Sequence, residues 1–199
     1  MKFVQKEFTA TLEEKKSKFI AFLVPYKDFD KTMQRLRSEH PKAVHFVYAY
    51  RYLNEFEQIV ENSSDDGEPR GTSGKPTLAV LSGASIINSA AIIVRYFGGI
   101  KLGTGGLVRA YGGSLNEVIK IAEFFEYKKT KSFTLECEYS YLSQLEYILK
   151  EQNIEISSKE FEKEVKVNID ISEKDFEILE KKLSRDVKIF WFLISLKNY

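Results

Sequence analysis

All eleven glycines of this 199-residue chain lie between Gly67 and Gly113, and no Asp or Glu occurs between Glu68 and Glu117. The acid-free stretch contains the cations Arg70, Lys75, Arg95, Lys101 and Arg109. Glycine lets the backbone approach a ligand closely, and uncompensated Arg and Lys side chains create a positive potential. The segment therefore predicts an anion-binding surface. Because it contains no His or Cys, it favours recognition over catalysis.

The composition, 43% hydrophobic and 30% charged, is typical of a globular protein and excludes disorder and collagen. A single cysteine, Cys137, cannot form an internal disulfide and is expected to be a reduced core residue. The chain opens without a leader-like pattern, and no apolar run approaches the ~18 residues of a membrane span. These features predict a cytoplasmic protein without a membrane partner.

Charge and glycine content divide the chain into two parts. Residues 1–130 hold 19 Lys and Arg against 15 Asp and Glu, whereas residues 131–199 hold 11 against 14. Neither Gly nor Pro occurs after Gly113. We therefore expect two domains, 1–130 and 131–199, and we expect a polyanion to bind the first.

Strand and helix signals follow in order along the first part. Residues 3–11 and 17–25 predict a β-hairpin, residues up to Glu39 a short helix capped by Asp28 or Asp30, and residues 43–52 an alternating strand. The turn-rich segment 61–76 predicts a long loop, followed by a helix over 77–85 and a buried strand over 90–97. Thr104 is the predicted N-cap of an amphipathic helix that runs to about Phe125.

The glycine motifs do not match the common nucleotide-binding patterns. Val108 stands where a dinucleotide fingerprint needs its third glycine, and Pro76 replaces the Ser or Thr of a phosphate loop. What remains is a phosphate cradle built from the amides of residues 103–106, with Lys101 and Arg109 beside it. A tight strand-to-helix turn with solvated cations explains the same residues equally well.

Three acids precede this segment: Asp65, Asp66 and Glu68. They could bind a divalent metal through oxygen ligands. The alternative is that Asp65 or Asp66 forms hydrogen bonds within the loop while Glu68 pairs with Arg95 or Arg109. We favour this alternative and assign no metal.

Two long segments carry a family resemblance: DDGEPRGTSGKP at 65–76 and VRYFGGIKLGTGGLVRAYGG at 94–113. They closely resemble the signature of the IMPACT family, and KSKFIA at 16–21 and HFVYAYR at 45–51 are similar to its N-terminal elements. The resemblance implies an α+β fold with two domains. The first would be an α/β sandwich with the fold of the second domain of a small-subunit ribosomal protein, and the second a ferredoxin-like domain resembling one in elongation factor G. Periodicity independently predicts the β-α-β-β-α-β order over residues 132–196.

The resemblance also implies a link to translation. The leading hypothesis is a noncatalytic, translation-associated protein that binds RNA or the ribosome, or a translation-related protein, and needs no cofactor. The predicted ligand-binding residues are Arg70, Gly71, Thr72, Lys75, Arg95, Tyr96, Phe97, Gly98, Gly99, Lys101, Gly103, Thr104, Gly105, Gly106 and Arg109. Tyr96, Phe97 and Tyr111 are candidates for stacking on bases. Five phosphate contacts would give a slope of log K against log salt of roughly −3.5 on single strands.

Two other functions remain open at this stage. In a phosphate- or nucleotide-dependent enzyme, Lys75 or Lys101 would hold phosphate and Asp66 or Glu68 would bind Mg²⁺. In a protein-interaction module, the glycine loops would dock a regulatory protein through a salt-insensitive interface. A zinc peptidase is not supported, because His40 and His45 lack the required spacing with Glu. We expect His45 to be a hydrogen-bonded strand residue.

Overall fold

A computed structural model describes the backbone of residues 1–192 and the side chains of residues 1–190. The described chain forms two compact units, Met1–Tyr127 and a second that begins at Lys128. Both units combine strands with helices, which confirms the predicted α+β class.

The first unit contains seven strands and three α-helices within the described residues: β1 (Lys2–Phe3), β2 (Phe8–Glu14), β3 (Ser17–Pro25), α1 (Phe29–Glu39), β4 (His45–Leu53), β5 (Ile59–Ser64), α2 (Gly74–Gly83), β6 (Ser89–Tyr96), α3 (Thr104–Ile121) and β7 (Phe125–Glu126). Five of the strands form an antiparallel sheet with the strand order β2-β3-β6-β4-β5. A separate two-stranded ribbon pairs β1 with β7.

Helices cover both faces of this sheet. Alternate residues of β4 point to opposite sides, as the period-two pattern predicts: Val47 joins the core beneath α2 and α3, and Phe46 joins the core beneath α1. The strand β6 is buried on both faces because it lies at the centre of the sheet. Its carboxyl end therefore leads directly from the core into the glycine-rich loop.

Two local predictions need correction. Residues 61–76 are not one long loop, because β5 pairs with β4 along 59–64 and α2 already begins at Gly74. Long-range pairing supplies the hydrogen bonds that the local sequence did not predict, and Pro76 is tolerated because it lies in the first turn of α2. The helix α3 differs from its prediction at both ends. Its N-cap is Gly103, with a φ of 72°, and not Thr104, and it ends at Ile121 and not near Phe125, which belongs to β7.

The second unit has the predicted β-α-β-β-α-β order, and its sheet has the strand order β11-β8-β10-β9. Its elements are β8 (Lys131–Cys137), α4 (Leu142–Glu151), β9 (Ile156–Phe161), β10 (Val165–Ile171), α5 (Glu173–Glu180) and β11 (Lys188–Phe192). One sheet face packs on Leu145, Leu149 and Leu179 of the helices. Cys137 is a free, buried core residue, as expected, and burial raises the pKa of its thiol. Residues 193–196 of the last predicted strand lie outside the described residues.

Candidate functional site

The centre of the site is a buried carboxylate, Glu68, whose side chain is only 3% exposed. Its Oε1 atom accepts hydrogen bonds from Nη1 of Arg95 and, at 2.8 Å, from the hydroxyl of Tyr111. Nε2 of His45 lies 3.7 Å from the same oxygen. The predicted pairing of Glu68 is confirmed, and its partner is Arg95 and not Arg109.

This cluster connects distant parts of the first unit. Glu68 belongs to the loop between β5 and α2, Arg95 to the end of β6, and Tyr111 to the middle of α3. Truncating one partner of such a buried charge pair leaves the other uncompensated, so the cluster strongly favours this one arrangement of the three segments. The loops on either side of it are thereby held next to each other.

Tyr111 is a hydrogen-bond donor in the cluster and not a stacking surface, which corrects the prediction for this ring. Its side chain is fully buried, and its ring packs edge-on against Phe19 at a centroid distance of 5.1 Å. Burial and then the neighbouring Glu68 carboxylate raise the pKa of Tyr111, so the phenol stays protonated and donates to Glu68.

Arg95 also departs from its predicted role as a surface phosphate ligand. Its side chain is 6% exposed, and its guanidinium lies 5.3 Å from the ring centroid of Phe19 and 5.7 Å from that of Phe97. Glu68 neutralises the charge of Arg95, and two aromatic rings cover its guanidinium. Arg95 is therefore a buried structural residue of the site. Its Nε atom has no hydrogen-bond partner in the described part of the chain.

Asp65 organises the loop that carries Glu68. Its carboxylate accepts hydrogen bonds from the backbone amides of Gly71 (2.7 Å), Ser73 (3.1 Å) and Gly74 (2.8 Å), and from the Ser73 hydroxyl (2.7 Å). Desolvation alone would raise the pKa of Asp65, but these four hydrogen bonds outweigh it and lower the pKa below its ordinary value. The prediction that an acid here forms loop hydrogen bonds is confirmed.

Asp66 joins the loop to β4 and α1. One carboxylate oxygen accepts from the backbone amide of Phe46 at 2.6 Å, and the other lies 3.2 Å from Nη2 of Arg37. The Asp66 carbonyl accepts from Nδ1 of His45 at 2.7 Å, which confirms His45 as a hydrogen-bonded strand residue. Since Asp65, Asp66 and Glu68 are all engaged within the protein, the described residues offer no cluster of three metal-ligating side chains.

The other four predicted cations are exposed: Arg70, Lys75, Lys101 and Arg109. Within the described residues, none of them has an ion pair or a side-chain hydrogen bond. Arg70 and Lys75 follow Glu68 along the chain, and Lys101 and Arg109 lie between Arg95 and Tyr111. The exposed cations therefore come from the two segments that the buried cluster joins.

The start of α3 adds a second positive feature. Its first turn has no acidic residue, and no side chain caps its amides. The side chain of Arg109 lies along this first turn, because its Nη1 atom is 3.6 Å from the position that a Cβ atom on Gly105 would occupy. Backbone amides at Thr104, Gly105 and Gly106 thus remain open next to a guanidinium.

Of the remaining predicted residues, some are exposed and some are structural. Phe97 is 49% exposed, whereas Tyr96 is partly buried and its hydroxyl lies 2.9 Å from Nδ1 of His40. Thr72 is buried, and its hydroxyl donates to the Pro69 carbonyl at 2.6 Å. Three of the predicted glycines adopt the left-handed φ that favours glycine: Gly71 (77°), Gly99 (84°) and Gly103 (72°). Phe97 is the one of the three predicted stacking rings that has a largely open surface.

Comparison with known proteins identifies the family. Residues 15–119, which include the buried cluster and all four exposed cations, match the model of the Impact N-terminal domain. The chain belongs to the IMPACT family.

Bacterial IMPACT family members resemble the chain over most of its length. It is 35% identical to an IMPACT family member of Haemophilus influenzae over 175 residues, covering 86% of this chain and 85% of that protein. It is 40% identical to the IMPACT family member YigZ of Escherichia coli over 144 residues, 71% of each chain. A solved structure titled "Crystal structure of an hypothetical protein" aligns with a TM-score of 0.62 and 32% identity, covering 94% of this chain and 95% of the other.

In this IMPACT protein, the two signature segments meet at the buried cluster, since 65–76 supplies Glu68 and 94–113 supplies Arg95 and Tyr111. Sequence reasoning predicted Tyr111 as a stacking ring and missed it as a partner of Glu68, because the two residues lie 43 positions apart in the chain. It also missed the position of the β2–β3 turn, which contacts the glycine loop at Gly98. No local signal in the sequence reports either contact.

Among the described residues, no helix is both long and apolar enough to cross a membrane.

Proposed function

We propose that this protein is a noncatalytic, translation-associated regulatory protein that binds RNA or the ribosome through the exposed cations of the two segments that the Glu68 cluster joins. Membership of the IMPACT family fits a regulatory role in translation. The observation that carries the proposal is the set of four cations without an acidic partner in the described structure: Arg70, Lys75, Lys101 and Arg109.

The chemistry of this surface suits phosphate oxygens. Arg offers bidentate hydrogen bonds to phosphate and Lys offers a mobile point charge, while the open amides at the start of α3 add about 0.3–1 kcal/mol for an anion. Phe97 supplies an exposed ring on which a base can stack, next to Lys101 in the same loop. Gly99 and Gly103 leave open space at the positions where a side chain would project.

The same contacts argue against a site for metal-dependent phosphate chemistry on these residues. Lys75 and Lys101 are available to hold a phosphate, but Glu68 is buried beneath Arg95 and Tyr111, and Asp66 is bonded to β4 and α1. We therefore assign no catalytic residue and no cofactor.

We also propose the finer fold assignment. The first unit has a five-stranded sheet covered by helices on both faces, as an α/β sandwich does, and we assign it to the ribosomal-protein-like fold. The strand order β11-β8-β10-β9 supports a ferredoxin-like second domain, similar to one in elongation factor G. We place the function in the cytoplasm, where RNA and ribosomes are available.

The test is binding of ribosomes and single-stranded RNA over a salt series. Each phosphate contact contributes about −0.7 to the slope of log K against log salt on single strands, so the double variant Lys101→Gln/Arg109→Gln should lower the steepness by about 1.4. The matched control is Lys27→Gln/Lys31→Gln, which removes the same charge from exposed positions on and just before α1 and should leave the slope unchanged.

Two results would contradict the proposal. Wild-type binding that does not depend on salt would indicate a protein partner. Equal slopes for the wild type and the Lys101→Gln/Arg109→Gln variant would place the RNA site elsewhere.

A further inference from the structure

The turn between β2 and β3 lies against the glycine-rich loop. A Cβ atom on residue 98 would overlap the carbonyl group of Lys16 and the amide of Ser17, so Gly98 is required for this contact. The Gly98 amide donates to the hydroxyl of Ser17 at 3.2 Å, and Ser17 is fully buried. The turn is therefore fixed to the same loop that carries Phe97 and Lys101.

The two residues of this turn have an unfavourable backbone conformation. Glu14 pairs with Ser17 in the hairpin, which leaves Lys15 and Lys16 as a two-residue connection. Their φ values are 46° and 65°, both in the left-handed region. Two-residue turns of this kind prefer Asn-Gly, because a Cβ atom in the left-handed region crowds the following carbonyl oxygen, and Gly and Asn adopt this region most readily. Lysine at both positions is thus poorly explained by the needs of the turn alone.

Both lysines are exposed and lack an ion pair within the described residues. Glu13 and Glu14 precede them on β2, so the hairpin tip adds little net charge. The tip would therefore contribute to binding through direct contacts of the two ammonium groups with a ligand, and not through its net charge. A residue held in a disfavoured conformation at a surface site is a reason to look for a function.

We infer that Lys15 and Lys16 are phosphate-contacting residues of the proposed site and that its ligand is an extended single strand of RNA, longer than one nucleotide. This inference rests on the proposed function. Six exposed cations then come from three separate segments: the β2–β3 turn, the region 70–75 and the region 101–109. If each of these cations contacts its own phosphate group, the ligand needs several successive phosphates, and a strand of several nucleotides provides them.

The inference changes the expected salt dependence. Six contacts give a slope of about −4.2 and four give about −2.8, so raising the salt from about 50 to 200 mM weakens binding about 340-fold in one case and about 50-fold in the other. RNA of about 16 nucleotides should show the steeper slope, and RNA of about 4 nucleotides a shallower one, since single-strand sites span about that range.

The test uses a turn variant that separates binding from folding. Lys15→Asn/Lys16→Gly installs the preferred Asn-Gly turn, so it should raise the melting temperature while lowering the steepness of the slope by about 1.4. Lys15→Arg/Lys16→Arg keeps both charges and should keep the wild-type slope. Lys27→Gln/Lys31→Gln, beyond the opposite end of the nine-residue β3, controls for net charge.

The outcomes distinguish this inference from the proposed function. If the Asn-Gly variant keeps the wild-type slope while Lys101→Gln/Arg109→Gln lowers it, the basic surface binds RNA and the hairpin does not. If the wild type binds no RNA at all, both are overturned. A slope that is the same for short and long RNA would contradict the extended ligand even where the lysines matter.

Discussion

Replacing Arg95 by Ala should severely destabilise the first unit. Replacing an exposed arginine of the same segment should change the stability little. The substitution leaves the carboxylate of Glu68, 3% exposed, with only Tyr111 as a hydrogen-bond donor and His45 at 3.7 Å. Removing one partner of a buried ion pair costs about 3–5 kcal/mol. With a urea m-value of about 1–3 kcal/mol/M, the unfolding midpoint should fall by at least about 1 M.

The assay is urea denaturation followed by far-UV circular dichroism, with two comparisons. Arg109→Ala, at an exposed position, should change the free energy of unfolding by no more than about 0.5 kcal/mol. The double variant Arg95→Met/Glu68→Leu removes both charges, and it should recover most of the loss because apolar replacement of a buried pair is often neutral. A cost below about 1 kcal/mol for Arg95→Ala, or a double variant as unstable as the sum of the single ones, would refute this reasoning.

Four further predictions test other contacts. Tyr111→Phe removes one hydrogen bond to the Glu68 carboxylate and should cost about 1.5–3 kcal/mol in urea denaturation. Because the pKa of Asp65 is lowered in the folded protein, its carboxylate stabilises the fold fully above about pH 4, and this stabilisation is lost as the pH falls through the lowered pKa. The urea midpoint of Asp65→Asn should therefore lie below that of the wild type at neutral pH, and the difference should shrink in acid. A difference that stays constant with pH would contradict this. Gly98→Ala should lower the melting temperature, at a cost of at least about 1–3 kcal/mol, because the new methyl group overlaps the hairpin turn. Thr104→Glu should stabilise α3 by about 0.3–1 kcal/mol while weakening RNA binding, and unchanged binding would exclude the helix start from the interface.

Local sequence signals predicted most elements of the fold. The strand 17–25 was predicted at its observed bounds, and the alternation over 43–52 gave the correct faces of β4. Both depend on side-chain periodicity and turn residues, which operate over a few positions. The end of β5 was predicted as part of the loop 61–76, because its residues ENSS are typical of a loop. Pairing with β4, and not the local sequence, stabilises this strand.

The candidate site was predictable in its location but not in the roles of its residues. The glycine and charge pattern pointed to the loops around residues 65–76 and 95–109, which the structure brings to the Glu68 cluster. Sequence alone gave Arg95 the same role as Arg109, because a count of charges contains no information on burial. The hairpin contact at Gly98 joins residues 81 positions apart, and no periodicity reports such a pair.

The small number of acids in residues 68–116 explains why four of the five cations there form no ion pair with a described residue. Outside this segment, some cations of the first unit pair with acids: Arg35 contacts Glu7 and Glu39, and Arg51 contacts Glu61. From residue 68 to 116 the chain provides one acid, Glu68, for five cations, and Arg95 takes that acid in the core. An exposed ion pair contributes at most about 1 kcal/mol, so leaving the other four unpaired costs the fold little. The absence of acids therefore needs a reason other than stability, and a surface that attracts phosphate provides one.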